Sequence, residues 1–570
     1  MKRASSWVCL GSVLLGASAA CSAGSGGTSN VGPTGSGGSG TGNATGTGGL
    51  VVGSGGTSSI GTGGTASGST DNPETCADAQ TSKTYVGCDF WPTVVYNPVY
   101  SVFDFAAVVA NAGTTPAQVT VTRGTGMVTA TVMPGSLEKI ILPWVPELKG
   151  ADFDAKTHGA RPTQSVRLDG GAYHLVSTVP VTVWQFNPLE YKKPASVCPY
   201  PPTASNSDGT NCESVSADAT LLIPSTALTG NYRVTSKSGF FQGGVDNASD
   251  SSGGFEISAT QDMTHVKIQL ADALAAGTGV TAAMKGDVVE YDLNAGDVLE
   301  LLGQPSLTGG APHAELSGSV INATKPVQVI GFNPLTQMPS LAAAVGCCAD
   351  HLEETVLPAE VLGKHYVVAS PSTHKGTNAG HTLRFFGDFD NTGLLYKGSA
   401  PAGAPGMLMA GQVVEVEATG GFEVLADQPF ALTSILKSAT VENGCTTAST
   451  DPDCYVGDPS MSDEVAVEQF RSEYIFLAPD DFAFNWADVL VPTGATVTLD
   501  GMPLGGTPEV VDTDYTLMRV PLTGGASMGA HKLSADMPVG LQVMGYGHAT
   551  SYYYPGGLNL KFIADVPVVK

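Results

Sequence analysis

PVTVWQFNPL, residues Pro180–Leu189, returns almost intact as PVQVIGFNPL at Pro326–Leu335. Two more echoes keep the opening and lose the ending: PFALTSIL at Pro429–Leu436 and PVGLQVMGY at Pro538–Tyr546. Aligned on the proline, an apolar residue follows directly (Val181, Val327, Phe430, Val539) and again two positions later (Val183, Val329, Leu432, Leu541). That is the period of a strand with one face in a core. Upstream, an apolar residue stands five positions before the proline (Leu175, Ile321, Val424, Leu533) and a small one three before (Ser177, Ala323, Ala426, Ala535). Proline has no N–H to donate to a ladder, so it belongs at the first position of a strand or at an edge. The pattern predicts two consecutive strand segments joined by a tight bend, with the small residue leaving room for it.

A second recurrence opens each repeat. It reads Ile223-Pro224…Tyr232, then Leu357-Pro358…Tyr366, with a weaker copy at Arg471–Phe476. Together the two recurrences predict an all-β chain of four repeated β-sandwich-like units, about 84–195, 217–340, 352–442 and 466–552. A spacing of roughly 100–145 residues is far from that of solenoids or propeller blades. Other runs read as strands too: Tyr100–Val109, Ala117–Thr122, Gly126–Val132, Leu137–Pro143, Ser165–Leu168 and Ala172–Ser177. Short strands parted by Gly, Pro, Asn and Asp suit sandwiches or barrels. Helical period is scarce: Met263–Leu274 is ambiguous, and Ala466–Ser472 has room for one turn.

The chain opens Met1-Lys2-Arg3 and then runs apolar or small from Trp7 to Ala20. This reads as a secretory signal over 1–20, too short for a membrane span. Ala17-Ser18-Ala19-Ala20 before Cys21 is similar to a bacterial lipobox, with Ser18 where leucine is usual. Cys21 is therefore the lipidation candidate, with plain secretion as the other reading. Residues 21–75 are almost wholly small and polar, a disordered tether with a typical reach of about 40 Å. The folded region is 76–570. The net charge of -26 argues against nucleic acid and against charge-driven adhesion to anionic lipid. Membrane contact is then through the lipid anchor only, which places the chain outside the cytoplasm, at the outer membrane or cell surface, or secreted. The remaining body cysteines are even in number: Cys76, Cys88, Cys198, Cys212, Cys347, Cys348, Cys445 and Cys454. In an exported chain they read as disulfides. Short separations favour Cys76–Cys88, Cys198–Cys212 and Cys445–Cys454. Cys347 and Cys348 pair either with each other or each with a distant partner.

Three stretches resemble one family: the Val-Pro-Val-Thr-Val-x-Gln-Phe-Asn-Pro strand itself, then Glu353-Glu354…Leu357-Pro358…Leu362-Gly363-Lys364-His365-Tyr366, then Gly457-Asp458-Pro459-Ser460…Phe470-Arg471…Tyr474. They resemble the N-terminal domain of IgG Fc-binding proteins, in its bacterial, lipoprotein-like branch, over about 84–560. The resemblance implies a surface protein that binds a protein or glycan ligand. It carries no binding residue across to this chain.

Motifs with chemical potential have plainer readings. Gly525-Ala526-Ser527-Met528-Gly529 matches G-x-S-x-G, but it leads into a strand rather than the helix a nucleophile elbow needs. Cys347-Cys348-Ala349-Asp350-His351 with Glu353-Glu354 lacks the C-x₂₋₄-C spacing of zinc sites. Asp388-Phe389-Asp390-Asn391-Thr392-Gly393 opens like a calcium loop, yet Ser399 stands where the bidentate Glu belongs. Val245–Gly254, VDNASDSSGG, is a second calcium candidate or a plain loop. His174, in an apolar strand, reads as a satisfied core residue. Tyr552-Tyr553-Tyr554 alternate faces on a strand, so at least one ring is expected to point outward. No cofactor is called for beyond calcium. The reading is a non-enzymatic exported adhesion-type protein, with a ligand-free envelope component or a serine hydrolase built on Ser527 as rivals.

Overall fold

A computed structural model describes residues 72–111, 113–152, 164–198, 211–214, 216–239, 252–306, 312–339, 348–446, 449–522 and 529–569. Residues 1–20, Cys21, the tether up to Asp71, Cys347, Ser527 and most of the 245–254 loop lie outside them.

The described residues are almost all β, and one pairing scheme surrounds each of the four prolines. It is plainest at Pro429. Phe422–Ala426 lies between His365–Val368 and Thr392–Gly398 in one sheet. After the bend at Asp427-Gln428-Pro429 the chain enters a second sheet as Phe430–Ile435, between His381–Gly387 and Met461–Asp463. Around Pro326, Val320–Ala323 pairs with Asn231–Arg233 and Thr264–Gln269, and Val327–Thr336 pairs with Gly254–Ala259 and Asp350–Thr355. At Pro180 the two segments merge into one strand, His174–Asn187. Its first half pairs with Gly87–Phe90 and Ala117–Arg123, its second with Phe105–Asn111 and Asp218–Leu221. At Pro538 they merge again into Gly529–Gly547. Arg471–Ala478 and Val497–Leu499 flank the earlier part, Phe484–Pro492 and Thr550–Pro555 the later part. Each proline thus marks the point where a strand leaves one sheet of a sandwich for the other.

The periodic residues fill the cores. Leu175, Val181 and Val183 share one buried cluster, and Ile321, Val327 and Val329 another. Val424, Phe430 and Leu432 share a third, and Leu533, Val539 and Leu541 a fourth. The recurring tyrosines lock the bend. The hydroxyls of Tyr232, Tyr366 and Tyr474 donate to the carbonyls of Val327, Phe430 and Val539, each the residue just after the proline.

The strands that complete the second sheets are Asp218–Leu221, Asp350–Thr355, Met461–Asp463 and Thr550–Pro555. These closing strands fall at or beyond the limits of the units as read from sequence, so chain from one range completes a sheet of another. Ser165–Leu168 does the same, pairing with Val298–Leu302. One local expectation shifts, one ambiguous stretch is resolved, and one turn is found where it was expected. The strand expected from Tyr100 begins at Phe105, because the amide of Ser101 is held by Asp152 in a turn. Met263–Leu274 contains the strand Thr264–Gln269, and Ala466–Ser472 the 3₁₀ turn Val467–Gln469.

Candidate functional site

Three of the expected disulfides are formed: Cys76–Cys88, Cys198–Cys212 and Cys445–Cys454. Cys348 is disulfide-bonded as well. His174 is satisfied but lies at the rim, 2.8 Å from Asp89 Oδ2 and stacked on Trp91. In the Asp388–Gly393 loop the carboxylates are already engaged. Asp388 is buried against Arg233 Nε at 3.1 Å, and Asp390 accepts from the amide of Ala410. The expectation of an outward tyrosine is overturned, because Tyr552, Tyr553 and Tyr554 are all buried. Their strand is covered on both faces. Tyr554 packs on Trp184 and Tyr552 on Phe186 and Phe482, while Tyr553 joins Leu436, Met544 and Tyr546.

That burial reflects how the four closing strands meet. Asp218 Oδ2 accepts from the amides of Glu353 and Met461, on the second and third closing strands, at 3.1 and 3.2 Å. Asp350 Oδ2 accepts from the amide of Ser551 on the fourth. Asp458 donates its amide to Ser551 Oγ, and Thr355 donates its amide to Thr220 Oγ1. Short polar side chains thereby satisfy backbone groups that edge strands would otherwise leave bare. The cost is a concentration of carboxyls in the interior. Burial pushes Asp218, Asp350, Asp458, Asp463 and Glu354 well above the ordinary carboxylate range. Glu464 is pushed to about 8 by burial and by the neighbouring Asp463. His351 is driven down to about 3 by burial, so it is neutral. Sequence reading singled out Asp350, His351, Glu353 and Glu354 as metal-type ligands in a loop. They instead lie on a buried strand, where Asp350 and Glu353 join closing strands and sandwiches.

The outer face of each second sheet packs on the segment that follows the opening strand of the sandwich before it. Tyr96 of the first donates its amide to Glu300 of the second at 3.0 Å. Arg384 of the third donates to Ser236 O and pairs with Glu315 of the second at 3.0 Å. Asp488 of the fourth accepts from Ser372 of the third, N at 2.7 Å and Oγ at 2.5 Å. Lys139 of the first pairs with Asp480 and Asp481 of the fourth, so the succession closes on itself.

Two internal cavities of about 10 Å³ each, one beside Tyr366 and Asp463 and one beside Asp488 and Tyr553, hold about one water apiece. Glu423, Asp512 and Asp514 bring three carboxylate oxygens within 4.8 Å of one another. Lys397 already stands among them, 3.3 Å from Glu423 and from Asp514. No helix among the described residues is long and apolar enough to cross a membrane.

The described residues form linked β-sandwiches with filled cores, joined by buried polar side chains. The model of the family described as IgGFc binding protein matches residues 218–545, and the chain belongs to that family. The match runs from the first closing strand into the last crossing strand. The other strands of the first sandwich precede it, although they follow the same pairing scheme. Comparison with curated proteins found no match. Binding rather than catalysis is the activity this family represents, and its disulfides fit a surface or secreted protein.

Proposed function

We propose that the chain is an exported, lipid-anchored binding protein that takes a protein ligand on the outward sheets of its sandwiches. The family membership carries this reading. Burial supports the choice of face. In His174–Asn187 the residues after Pro180 are all buried, whereas exposed positions alternate before it. Gly529–Gly547 shows the same contrast across Pro538. The second sheets are occupied by the protein's own joints, so the sheets before the prolines and their loops are the surface left for a partner. Cys21 as the lipidated N-terminus and the 22–75 tether would hold that surface away from a membrane.

The test is saturable binding of immobilised protein to purified immunoglobulin Fc, with albumin as control. Val176 and Leu395 are exposed at 42% and 69% on outward sheets. Charge at both positions, V176E with L395E, is expected to weaken binding by about tenfold or more. A folded protein that shows no saturable Fc binding removes the immunoglobulin reading and favours a structural envelope component. A mature N-terminus other than a modified Cys21, read by mass spectrometry, removes the anchor.

A further inference from the structure

The four prolines give a common coordinate, and at one coordinate the second sandwich departs from its neighbours. The residue four past each proline lies in the second sheet, beside a two-strand partner pair. Opposite Thr433 stands Arg384, itself opposite Glu415. Opposite Gln542 stands Asp488, itself opposite Arg519. Opposite Trp184 stands Val108, itself opposite Lys139. Opposite Ile330, however, stands Glu256, itself opposite Glu300. The third and fourth sandwiches thus set a guanidinium against a carboxylate, Arg384 Nε–Glu415 at 3.4 Å and Arg519 Nη1–Asp488 at 3.5 Å. The first sets a lysine there, answered by Asp480 and Asp481. Only the second places carboxyl against carboxyl.

Both acids are 1% exposed. Neither oxygen of Glu256 has a hydrogen-bond partner, and neither does Gln328 Oε1, itself 1% exposed. Gln328 pairs with Ser258, one row along on the same face as Glu256. Glu300 is oriented by the Tyr96 amide on its Oε2. Burial, joined for Glu256 by the neighbouring Glu300 and Glu353, pushes both carboxyls well above the ordinary range, so with no cation beside them they hold protons rather than charge. In the third and fourth sandwiches the carboxylate at this position faces a guanidinium.

We propose that Glu256 and Glu300, with Gln328 Oε1, hold a divalent cation, calcium, at the joint between the first and second sandwiches. Charge sets the valence. One guanidinium balances one carboxylate in the third and fourth sandwiches, and two carboxyls whose protons a metal displaces require two positive charges. The donor set sets the element. It is oxygen only, mixed carboxylate and amide, which suits calcium and not zinc. Magnesium demands near-ideal octahedral geometry, whereas calcium accepts a flexible set of oxygens that includes amide carbonyls and waters. The cation would tie Tyr96 and its segment to the second sandwich as Arg384 ties Ser236 to the third. The inference is independent of the ligand proposed above.

The experiment measures metal content and melting midpoint of the whole purified chain after EDTA, and again after calcium chloride is restored. Expected are about one calcium per chain at this site and a midpoint raised by several degrees over the EDTA form. In E256Q both effects are lost. Glu256→Arg, which copies the third sandwich, is expected to melt at the same temperature with calcium or EDTA. Wild-type protein that takes up no calcium, with a midpoint unmoved by it, overturns the proposal. So does an E256Q that folds and retains the full calcium content and shift.

Discussion

A tyrosine hydroxyl does the same task in three sandwiches. Tyr232, Tyr366 and Tyr474 each reach across to the first carbonyl past the crossing proline, and each is buried. Proline explains the need. It takes one donor out of the ladder where the strand changes sheets, and the carbonyl beside it requires a partner from elsewhere. Removing the hydroxyl strands that carbonyl in an apolar setting, at a cost of about 1–3 kcal/mol. Tyr366→Phe is therefore expected to lower the unfolding free energy by that amount, read as a lower midpoint of chemical denaturation with no change in the m-value. Tyr396→Phe is the control. Its hydroxyl donates to Pro405 O at 2.8 Å from a half-buried position, where water can replace it, so the loss is smaller. Equal losses from the two would show that the bend does not depend on the bond.

At the scale of elements, the crossing strands were legible because one face of each lies in a core and alternation survives. The closing strands were not. Asp218–Leu221 and Thr550–Pro555 are buried at every residue, so no period marks them, and Asp218 reads in sequence as a turn residue. The same double coverage turned all three consecutive tyrosines inward. Glu256 and Glu300 were equally silent, since their meaning lies in their register against Ile330 and not in spacing along the chain. Disulfides, by contrast, were legible from short separations alone. The joint between the first and fourth sandwiches tests how far these doubly buried strands matter. Trp184, four past the first proline, is fully buried and packs at 6.0 Å on Tyr554 of the last closing strand. Trp184→Ala is expected to cost about 3–5 kcal/mol and to speed proteolysis in both sandwiches together. Cleavage confined to the first sandwich would show that the two are not coupled through this contact.

Across the whole molecule, four closing strands converge, and the groups that join them are carboxyls without basic partners. Asp218, Asp350, Asp458 and Asp463 accept backbone amides there or beside it, which favours their charged form, but burial opposes it more strongly. Burial and the neighbouring Asp463 push Glu464, on the third sandwich, up to about 8. In the unfolded chain all of these ionise near pH 4. The folded chain therefore holds protons that the unfolded chain has released. Stability from these groups is complete below the unfolded value and is lost as pH rises through the folded ones. In EDTA, at constant ionic strength, the melting midpoint should fall steadily between pH 5 and pH 9, by about 5 °C or more. Glu464→Gln, which keeps the shape and removes the proton equilibrium, should reduce that slope between about pH 5 and 8, the interval between the unfolded and folded values. A midpoint that stays level or rises over this range would mean that the carboxyls remain ionised in the fold, with their amide donors outweighing burial. The same profile in calcium would leave the slope from Glu464 intact, because that group lies on the third sandwich and not at the joint of the first and second.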